Sequence, residues 1–89
     1  MKKKLWKLLL PVPDEEIDYL ILEDDTDGVT LGFCVYYLSS TSLESCFSDE
    51  WYESFDIARR TAIHYRLSID DWQAVKPEEI NRLPDWLLT

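Results

Sequence analysis

The sequence predicts an α+β domain: an antiparallel β-meander of three to five strands, one main helix packed on one face, and a short C-terminal helix. Three observations predict it. Short runs rich in Leu, Ile, Val, Tyr and Phe, separated by proline and Asp/Gly turn signals, fill the first half of the chain. Apolar residues at helical spacing then follow Ser54. Pro77, suited to a helix first turn, opens a second and shorter helical stretch. The length of 89 residues corresponds to one domain, residues 1–89.

Taken in order, Leu5 to Leu10 reads as a first strand, broken by Pro11-Val12-Pro13-Asp14. Ile17 to Glu23 reads as a second. Asp24-Asp25-Thr26-Asp27-Gly28 is a turn, with Gly28 suited to positive φ. Val29 to Leu38 is the strongest strand signal, placing Val29, Leu31, Phe33, Val35 and Tyr37 on one face. Ser39 to Ser42 is a polar loop, and Leu43 to Ser48 a fourth strand. The main helix is expected from about 54 to 66. Ser54 is its N-cap, Asp56 and Arg66 complement the dipole, and Phe55, Ala58, Ala62 and Tyr65 form its apolar stripe. Trp72 to Val75 returns to the sheet edge as a short strand, and Glu78 to Leu83 forms the short helix. Trp86-Leu87-Leu88 is an apolar tail.

The second and third strands are apolar on both faces. Leu20 and Leu22 lie opposite Ile17, Tyr19 and Ile21; Cys34, Tyr36 and Leu38 lie opposite Leu31, Phe33 and Val35. A sheet covered on one side alternates apolar with polar, and one helix covers one side. The other face therefore needs either the C-terminal segment, with Trp72, Trp86 and Leu87, or a second copy of the chain.

Charge is the most distinctive feature. Residues 8 to 58 contain no lysine or arginine but thirteen acids, in a chain of net charge −9. Such a field repels nucleic acid and anionic membrane and attracts basic surfaces. No apolar run approaches a membrane span. Lys7 splits the apolar N-terminal run, Pro11 and Pro13 end it, and no small-residue cleavage site follows. A signal peptide is therefore not expected, and the cytoplasm is the expected compartment. In a reducing compartment Cys34 and Cys46 read as small buried hydrophobes. An opportunistic disulfide is open to them if the meander brings them together.

Catalytic and metal signals are weak. Glu23, Asp25, Asp27 and Gly28 fit the start of a calcium loop, but its twelfth position is Cys34 and its flanks are strands. His64 lies opposite Phe55 around the helix and is expected to face solvent. Two cysteines and one histidine fall short of a structural zinc site. There is no glycine-rich phosphate loop. Arg59, Arg60 and Arg66 flank the helix stripe and are expected to lie over the core edge, paired with the acidic strands. No enzyme, cofactor or metal is expected.

The run Asp49-Glu50-Trp51-Tyr52-Glu53-Ser54, followed by Ala58, Ala62, Tyr65 and Asp71-Trp72, resembles short stand-alone bacterial proteins with a strand meander, a Trp-aromatic-x-Ser helix entry and a terminal tryptophan. Some of these look like immunity proteins that neutralise a toxin. The resemblance covers about residues 29–75 and rests mostly on core and capping residues. It implies a fold more than a function, and it implies no catalytic residue.

The expected function is a non-enzymatic module whose acidic face docks a basic protein partner. The residues expected to carry it are Asp24, Asp25 and Asp27 in the turn, and Asp49, Glu50, Trp51, Tyr52 and Glu53 before the helix, with the two aromatics as anchors. The competing expectation is a structural homodimer or larger homo-oligomer, pairing through the two-sided apolar sheet.

Overall fold

The computed structural model describes residues 4–14, 17–40 and 48–87. Strands β1 (Lys4–Asp14), β2 (Ile17–Asp24), β3 (Phe33–Leu38) and β4 (Ser48–Tyr52) run as a meander. A helix, α1 (Phe55–Arg59), continues as a 3-10 helix over Arg60–Tyr65, and further 3-10 turns span Ile69–Asp71, Pro77–Arg82 and Asp85–Leu87. A two-residue strand, β5 (Gln73–Ala74), completes an antiparallel five-stranded sheet of order β4-β3-β2-β1-β5. The fold is α+β, as the residue pattern predicts.

The topology places the layers. β4 and β5 are opposite edges, so residues 53–72 must cross one face of the sheet. They carry Ala58, Ala62 and Trp72 onto Leu8, Leu10, Leu20, Leu22, Val35 and Tyr37. The chain then turns at β5 and lays its C-terminal segment on the other face. There Leu83 and Leu87 bury Leu5, Tyr19, Ile21 and Leu38, with Trp86 set edge-on to Tyr36. The sheet that reads as apolar on both faces is thus covered on both faces by its own chain. Trp72, expected beside Trp86 and Leu87, belongs to the helix side instead. Its Nε1 donates to the Arg59 carbonyl at 2.9 Å, which satisfies its one polar group in the core.

Several boundaries differ from the sequence expectation, each for a local reason. β1 continues through Pro11 and Pro13, because there it is an outer strand past the reach of β5, where a missing N–H costs no ladder bond. β3 begins at Phe33 rather than Val29. Residues 25–32 form a loop closed by Asp25 N–H donating to Gly32 O at 2.8 Å, and Leu31 at φ 59° turns the chain out of the extended region. Of the expected fourth strand, residues 43–47 lie outside the described residues, as does Cys46. Ser48 opens a strand that runs on to Tyr52.

Ser54 caps α1 as expected, its Oγ accepting from Ile57 N–H at 3.1 Å. The α-helix is shorter than expected, however. Thr61 Oγ1 donates back to Ala58 O at 2.9 Å, and β-branched Thr61 and Ile63 favour the tighter 3-10 continuation. That helix stops at Arg66, which is left-handed. Leu67 N–H donates to Ala62 O and Arg66 N–H to Ile63 O, the pairing of a Schellman motif.

Candidate functional site

The antiparallel order brings the C-terminal end of β2, the N-terminal end of β3 and the C-terminal end of β4 to one end of the sheet. The two acidic segments meet there. A bonded relay joins them. Asp25 Oδ2 accepts from Thr30 N–H at 3.0 Å and from Thr30 Oγ1 at 2.6 Å, and the Thr30 carbonyl accepts from Trp51 Nε1 at 3.1 Å. Asp24 Oδ1 accepts from Thr26 N–H and Oγ1, shaping the preceding turn. Asp24 and Asp25 therefore build the loop as well as charge it.

Both glycines serve this construction by lacking a Cβ. At Gly28 a Cβ would lie 1.9 Å from Asp25 Oδ1; at Gly32 it would lie 2.4 Å from the Trp51 indole. Neither has positive φ, contrary to the expectation for Gly28. The left-handed residue of the loop is Leu31.

The result is an apolar patch rimmed by acids. Val29 is 96% exposed, Leu31 71% and Trp51 51%, against a buried core everywhere beneath them. Asp27 and Glu53 are exposed beside the patch; Asp49 stands two residues behind Trp51 on the same face of β4. Among the described residues these three carboxylates make no hydrogen bond that ties them to the fold.

Glu50 and Tyr52 belong to the opposite face, because strand neighbours alternate. Tyr37 OH donates to Glu50, and Tyr52 packs half-buried against the helix-side core. Burial, and then the Glu50 carboxylate, push the Tyr37 and Tyr52 hydroxyls up from their ordinary range. Of the expected site residues the structure therefore gathers Asp24, Asp25, Asp27, Trp51 and Glu53, keeps Asp49 nearby, and separates Glu50 and Tyr52. Sequence reasoning missed Val29, Thr30, Leu31 and Gly32, which it assigned to a strand. The available signal was that Gly28 and Gly32, the chain's two glycines, bracket them.

Beneath the patch lies a polar core cluster. Glu23 is buried at 2% exposure, paired in register with Cys34, which faces Trp51 across β3–β4. Tyr36 OH donates to Glu23 Oε1 at 3.0 Å. Desolvation, reinforced by Glu23, raises the Tyr36 hydroxyl, and burial raises the Cys34 thiol. Cys34 is a free, buried thiol, as expected of a small hydrophobe, with a thiol that is hard to ionise.

Among the described residues, open hollows of about 300 and 400 Å³ lie beside β1 and share Lys7 and Leu9. They lie toward the edge remote from the patch, and Asp18 in the larger one is engaged by Ser40 N–H and Oγ. Arg59 pairs with Asp56 on its own helix and lies 4.6 Å over the Phe55 ring, rather than reaching the acidic strands. His64 is exposed, as expected. Among the described residues no three His, Cys, Asp or Glu side chains gather in a metal-binding group, and no helix is long and apolar enough to cross a membrane. Compared with family models, curated proteins and solved structures, the chain matches none of them.

Proposed function

We propose that this protein is a non-enzymatic protein-binding module that docks a basic protein partner through the acidic end of its sheet. One observation carries the reading: the Trp51 indole donates to the Thr30 carbonyl and ties the two acidic segments together, with Val29 and Leu31 exposed on either side of Thr30 in the loop. A small apolar centre within a charged rim suits a partner steered by charge and held by aromatic and aliphatic contacts. Leu31 supports it further. An exposed leucine held in the left-handed region is a backbone cost with no packing return, the kind of strain a binding surface retains. A cytoplasmic setting is in keeping with the buried thiol of Cys34. The resemblance to immunity-type proteins would make the partner a basic toxin, an analogy that bears on its biological class and not on the geometry.

The test is capture of binding proteins from native lysate at low and high salt, using the wild type and a variant with Asp27→Lys, Asp49→Lys and Glu53→Lys. These three change charge without removing the bonds of Asp24 and Asp25. A basic protein held by the wild type at low salt, and lost both at high salt and on the charge change, is the expected outcome. Retention of the same protein by the charge-reversed variant would sink the proposal.

A further inference from the structure

The two edges of the sheet are defended in different ways. Beyond the two-residue β5, β1 carries Pro11 and Pro13, which lack the N–H that an added strand would need as a donor. β4 carries neither proline nor lysine and pairs with β3 in unbroken register from Ser48 to Tyr52. Among the described residues no strand pairs with its outer side. Its side chains from Ser48 to Trp51 are exposed. What guards this edge is charge of one sign, Asp49 and Glu50 within the strand and Glu53 just after it.

That guard is selective. A second copy pairing antiparallel about Glu50 would set Glu50 against Glu50 and bring the flanking acids together, a like-charge arrangement across strands that is unfavourable. A basic strand would meet the reverse. Strand alternation presents Asp49 and Trp51 to one side and Glu50 to the other. An added segment with arginine at alternate positions would thus find a carboxylate and a half-exposed indole on one face. Guanidinium stacks on tryptophan in preference to the other rings, and pairs in two-pronged fashion with carboxylate.

From this unpaired, acid-guarded edge we infer that β4 accepts an extended, arginine-bearing segment of the partner as a sixth strand, hydrogen-bonded along Ser48–Tyr52 with an arginine over Trp51. The inference rests on the acidic docking reading and specifies its mode as strand addition.

The probe is a short, end-blocked peptide of alternating arginine and valine, with two derivatives N-methylated on alternate amides, one on each edge. All three carry the same charge, and only one N-methylated edge can face β4. Binding is followed at low salt by amide chemical shifts of the full-length protein. The expected result is that the parent peptide shifts the amides of Asp49 to Tyr52. One N-methylated peptide should then bind about tenfold more weakly or worse, as expected for lost ladder bonds, while the other binds within about twofold of the parent.

Equal binding by both N-methylated peptides overturns strand addition and leaves the acidic docking face standing. Shifts confined to β1 and β5, or a dimer by light scattering that the peptide dissociates, overturn it as well. No shift with any of the three peptides overturns strand addition too. The docking reading itself fails only if the charge-reversed variant still captures the basic protein.

Discussion

Arg66 and Leu31 adopt the same left-handed conformation, at φ 60° and φ 59°, for opposite reasons. Arg66 terminates a helix where glycine is the usual occupant, and its side chain is exposed. Arg66→Gly is expected to stabilise the protein by about 1 kcal/mol, by removing the left-handed penalty of a residue with a Cβ. For a domain of this size that is a rise of roughly 4–8 °C in Tm, read by thermal unfolding. Leu31→Gly should stabilise by a similar amount, about 1 kcal/mol, yet weaken partner capture, since it deletes an exposed side chain of the patch. If Leu31→Gly leaves capture intact, the strain at this position has no part in binding. Tyrosine ionisation provides a third check. Burial raises the hydroxyls of Tyr19, Tyr36, Tyr37 and Tyr52, so each holds its proton more tightly folded than unfolded. The associated stability is fully present below the unfolded tyrosine range, about pH 10, and is lost as pH rises through the higher folded values. Denaturant midpoints should be insensitive to these groups from pH 7 to about 9 and fall above about pH 10. Absorbance of tyrosinate in the folded protein should lag behind that of the unfolded chain.

Among the elements, the C-terminal segment has the largest consequence for its size. Leu87 is 1% exposed and sits with Leu83 over Leu5, Tyr19, Ile21 and Leu38. Leu87→Ala is expected to cost about 2–5 kcal/mol from lost transfer energy and the cavity left behind. Because it thins the cover of an apolar sheet face, it should also increase self-association relative to the wild type, detectable by light scattering. The positions of most elements were legible in the residues: the Asp/Gly turn marked the link between β2 and β3, Ser54 marked the helix start, and the two-sided apolar strands demanded a second cover, whereas Pro11 and Pro13, read as a break, lie inside β1. The loop at 25–32 was not. Val29, Leu31, Phe33, Val35 and Tyr37 alternate without a break, and period two alone carries no mark of where the strand starts. The side-chain bonds of Asp24 and Asp25, which draw Thr26 and Thr30 into a loop, override that pattern. The same limit hid half of the candidate site. Acids and Trp51 stand out by composition, whereas the exposure of Val29 and Leu31 and the parting of Trp51 from Tyr52 depend on strand boundaries and pleat.

Across the whole molecule, charge is unevenly distributed. The 24–32 turn and β4 carry acids and no lysine or arginine, whereas Lys4 and Lys7 lie on β1 and acids and bases mix in the C-terminal segment. A basic partner should be attracted toward the β4 side, where acids stand without a basic neighbour in the sequence. Replacing Asp27, Asp49 and Glu53 together by lysine should lower the association rate constant by roughly tenfold or more at low ionic strength, and flatten its salt dependence. Stopped-flow association with the captured partner measures both. An unchanged rate would mean that encounter is not steered by this end.

The far face of the sheet also sets a timetable. Leu5 is the second residue of β1, and the side chains that shield it, Leu83 and Leu87, come more than seventy residues later. β5, which closes the edge beside Trp6 and Lys7, is late as well. During synthesis the meander can pair before its second cover exists, leaving a greasy, half-finished sheet exposed until the final turns emerge. Long-range closure of this kind is slow, and the interval before it is when the nascent chain most needs to be kept from its neighbours.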